Sequence, residues 1–400
     1  PNNELGTSTY FWKNGLSKPE LASPNDVAFS KLDFKKTSNP DLHYYIDKGS
    51  LFSYALKSKT SKKLYQQSSP ISNLQMGAVP GILYFRQNEN LFQFNTNEGS
   101  VIQITNFRKG KAEDKPADKE SFLKSQQEEL FQFIRDQEAL KKWNLAKSKT
   151  IKSDFPKPYF YGKNNFGSLK VDPKGNFATF RLIEDSERKN EKMEVFITAD
   201  GYNQIEDTKA KVSTDNLLAS KFGVYDIAKD SVYFVNFSSL SHIQDVPKYS
   251  ELYEKSKTNE KKDKLIVVQE PIYNENGSYA IAEIRSQDNK DRWIVSLNLK
   301  KGTFQELDHQ HDEAWIGGPG IPAYSFGRGT LGFLGDNETV YFQSEETGYS
   351  HLYTYNLKSK KKTQLTKGNW EVRNVNLSKD KKSFYLTTTT THPGNRDFYK

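Results

Sequence analysis

The chain is 400 residues long, 35% hydrophobic and 13% aromatic, with a formal net charge of +8. That is apolar mass enough for a large core, yet mean hydropathy is low at −0.81 and no run approaches the roughly 18 consecutive apolar residues of a membrane-spanning helix. The absence of cysteine excludes a disulfide framework, a thiolate metal site and a thiol nucleophile.

The apolar content rests on 26 Phe and 22 Tyr against 2 Met, and aromatic residues suit pleated, half-buried surfaces. A pI near 9.1 invites a nucleic-acid reading. The lysines argue against it, because they gather at Lys57, Lys59, Lys62 and Lys63, at Lys261 and Lys262, and at Lys358 and Lys360 to Lys362, where solvated turns between strands belong. No nucleic-acid partner is expected. The chain opens on Pro1 without a Met or a charged, apolar leader and reads as a processed or trimmed product, which leaves its compartment open.

Period-2 alternation broken by turn residues begins near residue 41. Ser50 to Leu64 (SLFSYALKSKTSKKL) reads as two strands around a Lys-rich turn, and Asn90 to Thr105 (NLFQFNTNEGSVIQIT) repeats the phrase. These predict units over 41–66 and 79–107. From Asp118 to Ala146 the pattern changes. Phe122, Leu123, Leu130, Phe131, Phe133, Ile134, Leu140 and Trp143 are spaced mainly by three, four and seven, which predicts a helical insertion capped by Asp118 or Ser121. Leu123, Leu130, Ile134 and Trp143 fall on or near its buried face.

Strand alternation returns at Asp172 to Phe180, predicting units over 166–215 and 218–245. Arg292 to Leu307 (RWIVSLNLKKGTFQEL) and Glu345 to Thr366 are further hairpins, in units 265–308 and 322–366. A last unit starts near 370, and Gly394 to Lys400 falls where its third strand begins. An open edge there is an aggregation template, so either the N-terminal segment supplies the missing strand or the polypeptide continues. The intervals Leu51 to Leu91, Trp293 to Leu352 and Leu352 to Phe398 lie in or near the period of about 40 to 50 residues typical of propeller blades. The expectation is an all-β fold, a β-propeller of seven or eight four-stranded blades with the last incomplete.

Five collinear phrases resemble a known family: Asp288 to Ile294 (DNKDRWI), Asp312 to Gly318 (DEAWIGG), Ser344 to Tyr353 (SEETGYSHLY), Leu365 to Val372 (LTKGNWEV) and His392 to Gly394 (HPG). They are similar to the propeller of prolyl oligopeptidase family serine peptidases, in the dipeptidyl peptidase IV-like bacterial branch. The insertion carrying Gln126 to Leu130 (QQEEL) resembles the same branch. The likeness runs from about residue 80 to 400 and is best after 288.

The resemblance implies a propeller that gates and orients peptide substrates for a serine exopeptidase removing dipeptides after Pro or Ala. In that family the propeller precedes an α/β-hydrolase domain whose nucleophile sits in G-x-S-x-G, a strained elbow that exposes the serine oxygen. No such motif occurs here; Gly6 to Tyr10 (GTSTY) lacks the second Gly and a following helical pattern. No catalytic residue is therefore assigned to this chain, and a C-terminal hydrolase domain of the same polypeptide is expected after 400. The remaining expectations are a peptide substrate, no cofactor, a homodimer, and a periplasmic or secreted location. The alternative is a non-catalytic propeller binding a protein or cell-envelope partner.

Glu128 and Glu129 are the substrate-binding candidates. Adjacent carboxylates can hold a free peptide α-amine through charge-assisted hydrogen bonds, and the resemblance implies a Glu pair on a short helical segment after an early blade. The plainer reading is an exposed face of an amphipathic helix. Glu345 and Glu346 precede a tight turn, are expected to face solvent, and receive no chemistry. His309, His311 and Asp312 can be drawn as a metal site, but without a third partner nearby a loop is the reading adopted, and no metal is assigned. Arg292, Trp293 and Trp315 read as blade-core packing, and Arg328 between Gly327 and Gly329 as a turn.

Overall fold

Turn residues cut the chain into short strands, most of which pair with their neighbours in sequence. This computed structural model describes residues 10–11, 17–21, 23, 27, 29–111, 139–140, 143, 155–185, 190–199, 201–210, 218–248, 262–322 and 327–400. The chain divides into two units, 1–102 and 103–400.

In the first unit, β1 (Tyr10–Phe11) pairs with β2 (Glu20–Leu21). Strands β3 (Lys35–Lys36), β4 (Leu42–Asp47), β5 (Ser50–Ala55) and β6 (Thr60–Tyr65) form a four-stranded antiparallel meander. A second follows from β7 (Ile71–Met76), β8 (Ile82–Gln87), β9 (Asn90–Asn95) and β10 (Ser100–Gln103). Leu51 and Phe94 of the two hairpin phrases meet in one core, where they pack with Tyr44, Ile71, Leu83 and Phe85.

In the second unit, β11 (Phe107–Arg108) runs parallel to β12 (Tyr159–Phe160). Then come β13 (Asn165–Val171) and β14 (Phe177–Ile183). The chain leaves as a separate antiparallel hairpin, β15 (Asn190–Val195) and β16 (Gln204–Ala210), and returns as β17 (Ser220–Asp226) and β18 (Ser231–Phe234). Strand β14 pairs directly with β17, from Phe177 opposite Asp226 to Ile183 opposite Ser220. The units expected over 166–215 and 218–245 are thus one four-stranded sheet with an excursion. The excursion is itself a strand–turn–strand hairpin, so its outline in the sequence did not mark it as a departure.

The next sheet holds β19 (Ile266–Val268), β20 (Ile272–Tyr273), β21 (Ala280–Ser286), β22 (Asp291–Asn298) and β23 (Thr303–His311), with β19 and β20 both paired to β21. It is followed by β24 (Leu331–Phe333), β25 (Thr339–Ser344), β26 (His351–Asn356) and β27 (Lys361–Gln364), and by the three-stranded β28 (Val372–Leu377), β29 (Phe384–Thr388) and β30 (Asp397–Tyr399). Strand β30 lies where a third strand was predicted. The seven units laid out along the sequence become six sheets of three or more strands among the described residues.

Strands β21 and β22 explain how these sheets stack as propeller blades. Along β21, Ala280, Ala282 and Ile284 enter a core shared with Phe222 and Val224, while Ile281 enters another shared with Val340, Phe342 and Tyr353. Along β22, Trp293 and Val295 take the first side and Ile294 the second. Both faces are buried, and the charged Glu283, Arg285, Asp291 and Arg292 are buried along with the apolar residues. The fold is all-β. Of the predicted insertion, Ala139, Leu140 and Trp143 are helical. Trp143, expected near the buried face, is 58% exposed; the rest of 118–146 lies outside the described residues.

Candidate functional site

Glu128 and Glu129 lie outside the described residues. The polar chemistry that the structure does gather sits on the two faces of the β22–β23 ladder. Register places Asp291 opposite His311 and Trp293 opposite His309, with an irregularity between Ile294 and Val295. His309 and His311 were expected in a loop; they instead close a nine-residue strand and share its face, as alternate strand residues do.

Asp291 is fully buried at the centre of this face. One carboxylate oxygen accepts from His309 Nε2 at 2.9 Å and from His311 Nδ1 at 2.8 Å, and the other from Lys264 Nζ. Burial by itself pushes the Asp291 carboxyl up. The hydrogen bonds from His309, Lys264 and His311 outweigh that and bring it down to about 2.

Three rings stack outward from the core. Trp293 lies 5.3 Å from His309, and His309 lies 4.8 Å from His242 with the planes 13° apart. Trp293 donates its indole N–H to Ser241 O at 2.9 Å. His242 Nδ1 bonds Asp245 at 2.6 Å, and its backbone is left-handed at φ 59°. Beside the rings is a cleft of about 910 Å³ lined by His242, Asp245, Lys248, Lys264, His311 and Glu313 among others. Parallel stacked imidazoles direct their in-plane lone pairs side by side rather than to one point. Among the described residues no three His, Asp or Glu side chains gather to hold a metal ion.

The opposite face carries a buried charge network. Arg292 Nη2 donates to Glu283 at 3.0 Å, and Arg292 Nη1 to Gln343 O at 2.7 Å. Arg285 donates to Ile316 O at 2.8 Å and Pro322 O at 3.0 Å, while Gly329 N donates to Glu283 at 2.9 Å. Glu283, Arg285 and Arg292 are all fully buried. Arg292 thereby ties β22 to Glu283 of β21 and to the Gln343 carbonyl of β25, while Arg285 and Glu283 hold the polypeptide between β23 and β24 by its backbone. Glycine lets that backbone come close: a Cβ at Gly320, where φ is 74°, would lie 1.9 Å from Gln343 Oε1.

Arg292 and Trp293 are packed as expected, on opposite faces. Trp315 is not; it is 50% exposed, with Asp312 accepting the backbone N–H of Ala314 and Trp315. Arg328 is exposed. Glu345 departs from the solvent-facing expectation. It is partly buried against Gly318, where a Cβ would lie 2.0 Å from its carboxylate, and its carboxyl is pushed up by burial and by nearby Glu371 and Asp312. Glu346 does face solvent and pairs with Lys362 at 2.5 Å.

These groups can order water, hold polar ligands and fix loops. Among the described residues no serine hydroxyl bonds an imidazole; Ser241 Oγ donates instead to Glu306 at 2.5 Å. Sequence reasoning missed Asp291, Lys264 and His242 as partners of the His309–His311 pair. Asp291 was reachable from hairpin register, had the irregularity near Leu307 been known. His242 is not, because only blade stacking brings it there.

Comparison with known proteins points to one family over part of the chain. Residues 231–400 match the family described as the dipeptidyl peptidase IV (DPP IV) N-terminal region. No curated protein matches the sequence. Among solved structures, the chain is similar to dipeptidyl peptidase 4 of Porphyromonas gingivalis, with 11% identity and a TM-score of 0.53 over 92% of this chain and 42% of that one. It is also similar to a putative dipeptidyl aminopeptidase IV from Bacteroides ovatus, with 13% identity and a TM-score of 0.49 over 88% of this chain and 41% of that one. The chain thus spans about two fifths of the length of these structures. The resemblance carried by the phrases between Asp288 and Gly394 falls inside the matched region. At this identity the first structure supports the fold and nothing finer.

Proposed function

We propose that this chain is the substrate-gating and substrate-orienting propeller of a serine exopeptidase of the dipeptidyl peptidase type, acting on peptides with Pro or Ala in the second position. The carrying observation is the match of residues 231–400 to the DPP IV N-terminal region. Two features favour a non-catalytic share of the work: G-x-S-x-G is missing from the sequence, and no serine–imidazole pair occurs among the described residues. The nucleophile then belongs to an α/β-hydrolase domain following Lys400, in a protein of the periplasm or the cell exterior. Nucleophilic acyl transfer takes place there, while the propeller controls which peptides arrive and how.

Glu128 and Glu129 are the proposed anchor for the peptide's free α-amine. A protonated amine left unpaired in a partly desolvated chamber costs several kcal/mol, and each charge-assisted hydrogen bond contributes roughly 1.5 to 3 kcal/mol. In the intact enzyme, Glu128→Gln with Glu129→Gln should lower kcat/KM for free-amine dipeptide reporters by about 10- to 100-fold and leave N-blocked substrates nearly unchanged. Equal effects on both substrates, or none, would leave the pair without an anchoring role. The coding region beyond Lys400 tests the wider reading: a hydrolase-sized stretch with a nucleophile elbow supports it, and an immediate stop codon favours a binding propeller instead.

The protein is further proposed to form a homodimer through the β15–β16 hairpin. This excursion carries Met193, Phe196, Ile197, Tyr202 and Ile205, exposed by 53 to 95%. Exposed aromatic and aliphatic side chains clustered on one projecting element mark an association surface.

A further inference from the structure

We propose that the cleft beside His242 binds the arginine side chain of a peptide, its guanidinium lying flat on the His242 ring within reach of Asp245 and Glu313. The platform is rigid. Leu240 and Ile243, on either side of Ser241 and His242, are buried in the shared core. Ser241 O accepts from Trp293 Nε1 at 2.9 Å, and Ile243 O accepts from Lys264 N at 2.8 Å. The backbone at His242 is left-handed, with φ 59°, and its ring lies on His309. A non-glycine residue keeps that conformation when its surroundings fix it. His309 covers one face of the ring, yet 56% of the His242 side chain is exposed and it lines the cleft. The Trp293–His309–His242 stack therefore ends on an open aromatic face.

Charge decides what that face takes. Asp291 is matched by Lys264, His309 and His311. Of the other charged groups lining the cleft, Asp245 and Glu313 are anions and Lys248 is a cation. Lys248 Nζ stands 3.7 Å from Glu313 and its side chain is 81% exposed, which makes a loose, solvent-screened pair. Asp245 Oδ2 accepts from His242 Nδ1 at 2.6 Å, and among the described residues no lysine or arginine pairs with it. Asp263, bonded by Gln244 at 2.8 Å, adds a further carboxylate nearby. Carboxylates are thus in excess. An incoming cation satisfies them, whereas an anion or an apolar ring would leave them desolvated and unpaired.

Geometry then selects among cations. A guanidinium is planar and weakly hydrated, and it stacks on aromatic rings while its N–H groups point outward in its own plane. An ammonium is a compact, strongly hydrated point charge with no face to stack. His309 and His242, 4.8 Å apart with planes 13° from parallel, set the direction in which a further flat layer continues. The cleft, at about 910 Å³, has room for an arginine side chain and its adjoining backbone. The site stands independently of the peptidase reading, which assigns none of these residues a part in gating or in holding the α-amine.

Titration of the 400-residue chain with N-acetyl-arginine N-methylamide, at fixed neutral pH and low salt, tests this through the NMR signals of the histidine rings. The His242 signal is assigned by its loss in His242→Asn, a substitution that tolerates the left-handed backbone. It should shift saturably with a Kd on the order of 1 mM, while the signal of His43 in the first unit stays in place. N-acetyl-lysine N-methylamide should bind about threefold more weakly, because it cannot stack. Asp245→Asn leaves an amide oxygen to accept the His242 N–H and should weaken the arginine derivative about fivefold. A His242 signal that does not shift saturably overturns the site. So does a lysine derivative that binds as tightly as the arginine one, or an Asp245→Asn chain that binds like the wild type.

Discussion

At the scale of single residues, the two faces of the β22–β23 ladder make opposite uses of buried charge. Asp291 is stabilised as an anion by three donors, so its folded-state pKa lies near 2, below the ordinary value of about 3.9. A depressed carboxylate contributes stability that is fully present above the unfolded pKa and is lost as pH falls through the folded one. Chemical denaturation between pH 5 and 2 should therefore show the wild type losing on the order of 2 kcal/mol more than Asp291→Asn. Parallel pH profiles for the two proteins would contradict the arrangement. On the other face, Arg292→Met removes the 3.0 Å partner of Glu283 and should cost about 3 to 5 kcal/mol, because an uncompensated charge stays buried. Adding Glu283→Gln should recover much of that loss. If the double variant is as unstable as the sum of the single ones, the pair is not coupled.

At the scale of elements, the β15–β16 hairpin is the piece least explained by the packing of its own blade. Phe196, Ile197 and Tyr202 are exposed by 67, 95 and 77%, an arrangement that a partner surface would relieve. Analytical ultracentrifugation of the intact protein should find a dimer, and Phe196→Ser with Tyr202→Ser should weaken it by about 30-fold or more if these aromatics are central anchors. A monomeric wild type would refute this role for the hairpin. The same element shows where sequence reading reaches its limit. Hairpins such as Ser50 to Leu64 and Glu345 to Thr366 were legible because apolar side chains alternate along their strands on either side of a clear turn. The merging of β14 with β17 was not, since β15 and β16 also form a hairpin and only pairing in space tells the two apart. The face shared by His309 and His311 could be read from their spacing. Asp291 beneath them depends on register, and His242 above them on the stacking of blades.

At the scale of the whole molecule, the all-β blade architecture was visible in repeated hairpin phrases, and the family resemblance in phrases that the structure places in and around the β19–β30 sheets. What could not be read was which side chains near the loops are structural. Glu345 looked solvated and is partly buried; Trp315 looked packed and is half exposed. Both belong to the region around Gly318 and Gly320, whose path is fixed by distant buried groups such as Gln343 and Arg285 rather than by local sequence. The proposed function has the chain steer peptides to a catalytic serine located elsewhere in the same polypeptide. It is tested most directly by measuring hydrolysis of a free-amine Xaa-Pro reporter, together with labelling by a serine-reactive fluorophosphonate, on the 400-residue chain and on the intact polypeptide. The expected result is turnover and labelling by the intact protein, with the labelled serine beyond Lys400, and neither from the 400-residue chain. A labelled serine within residues 1–400, or an intact protein that neither cleaves the reporter nor takes the label, would contradict it.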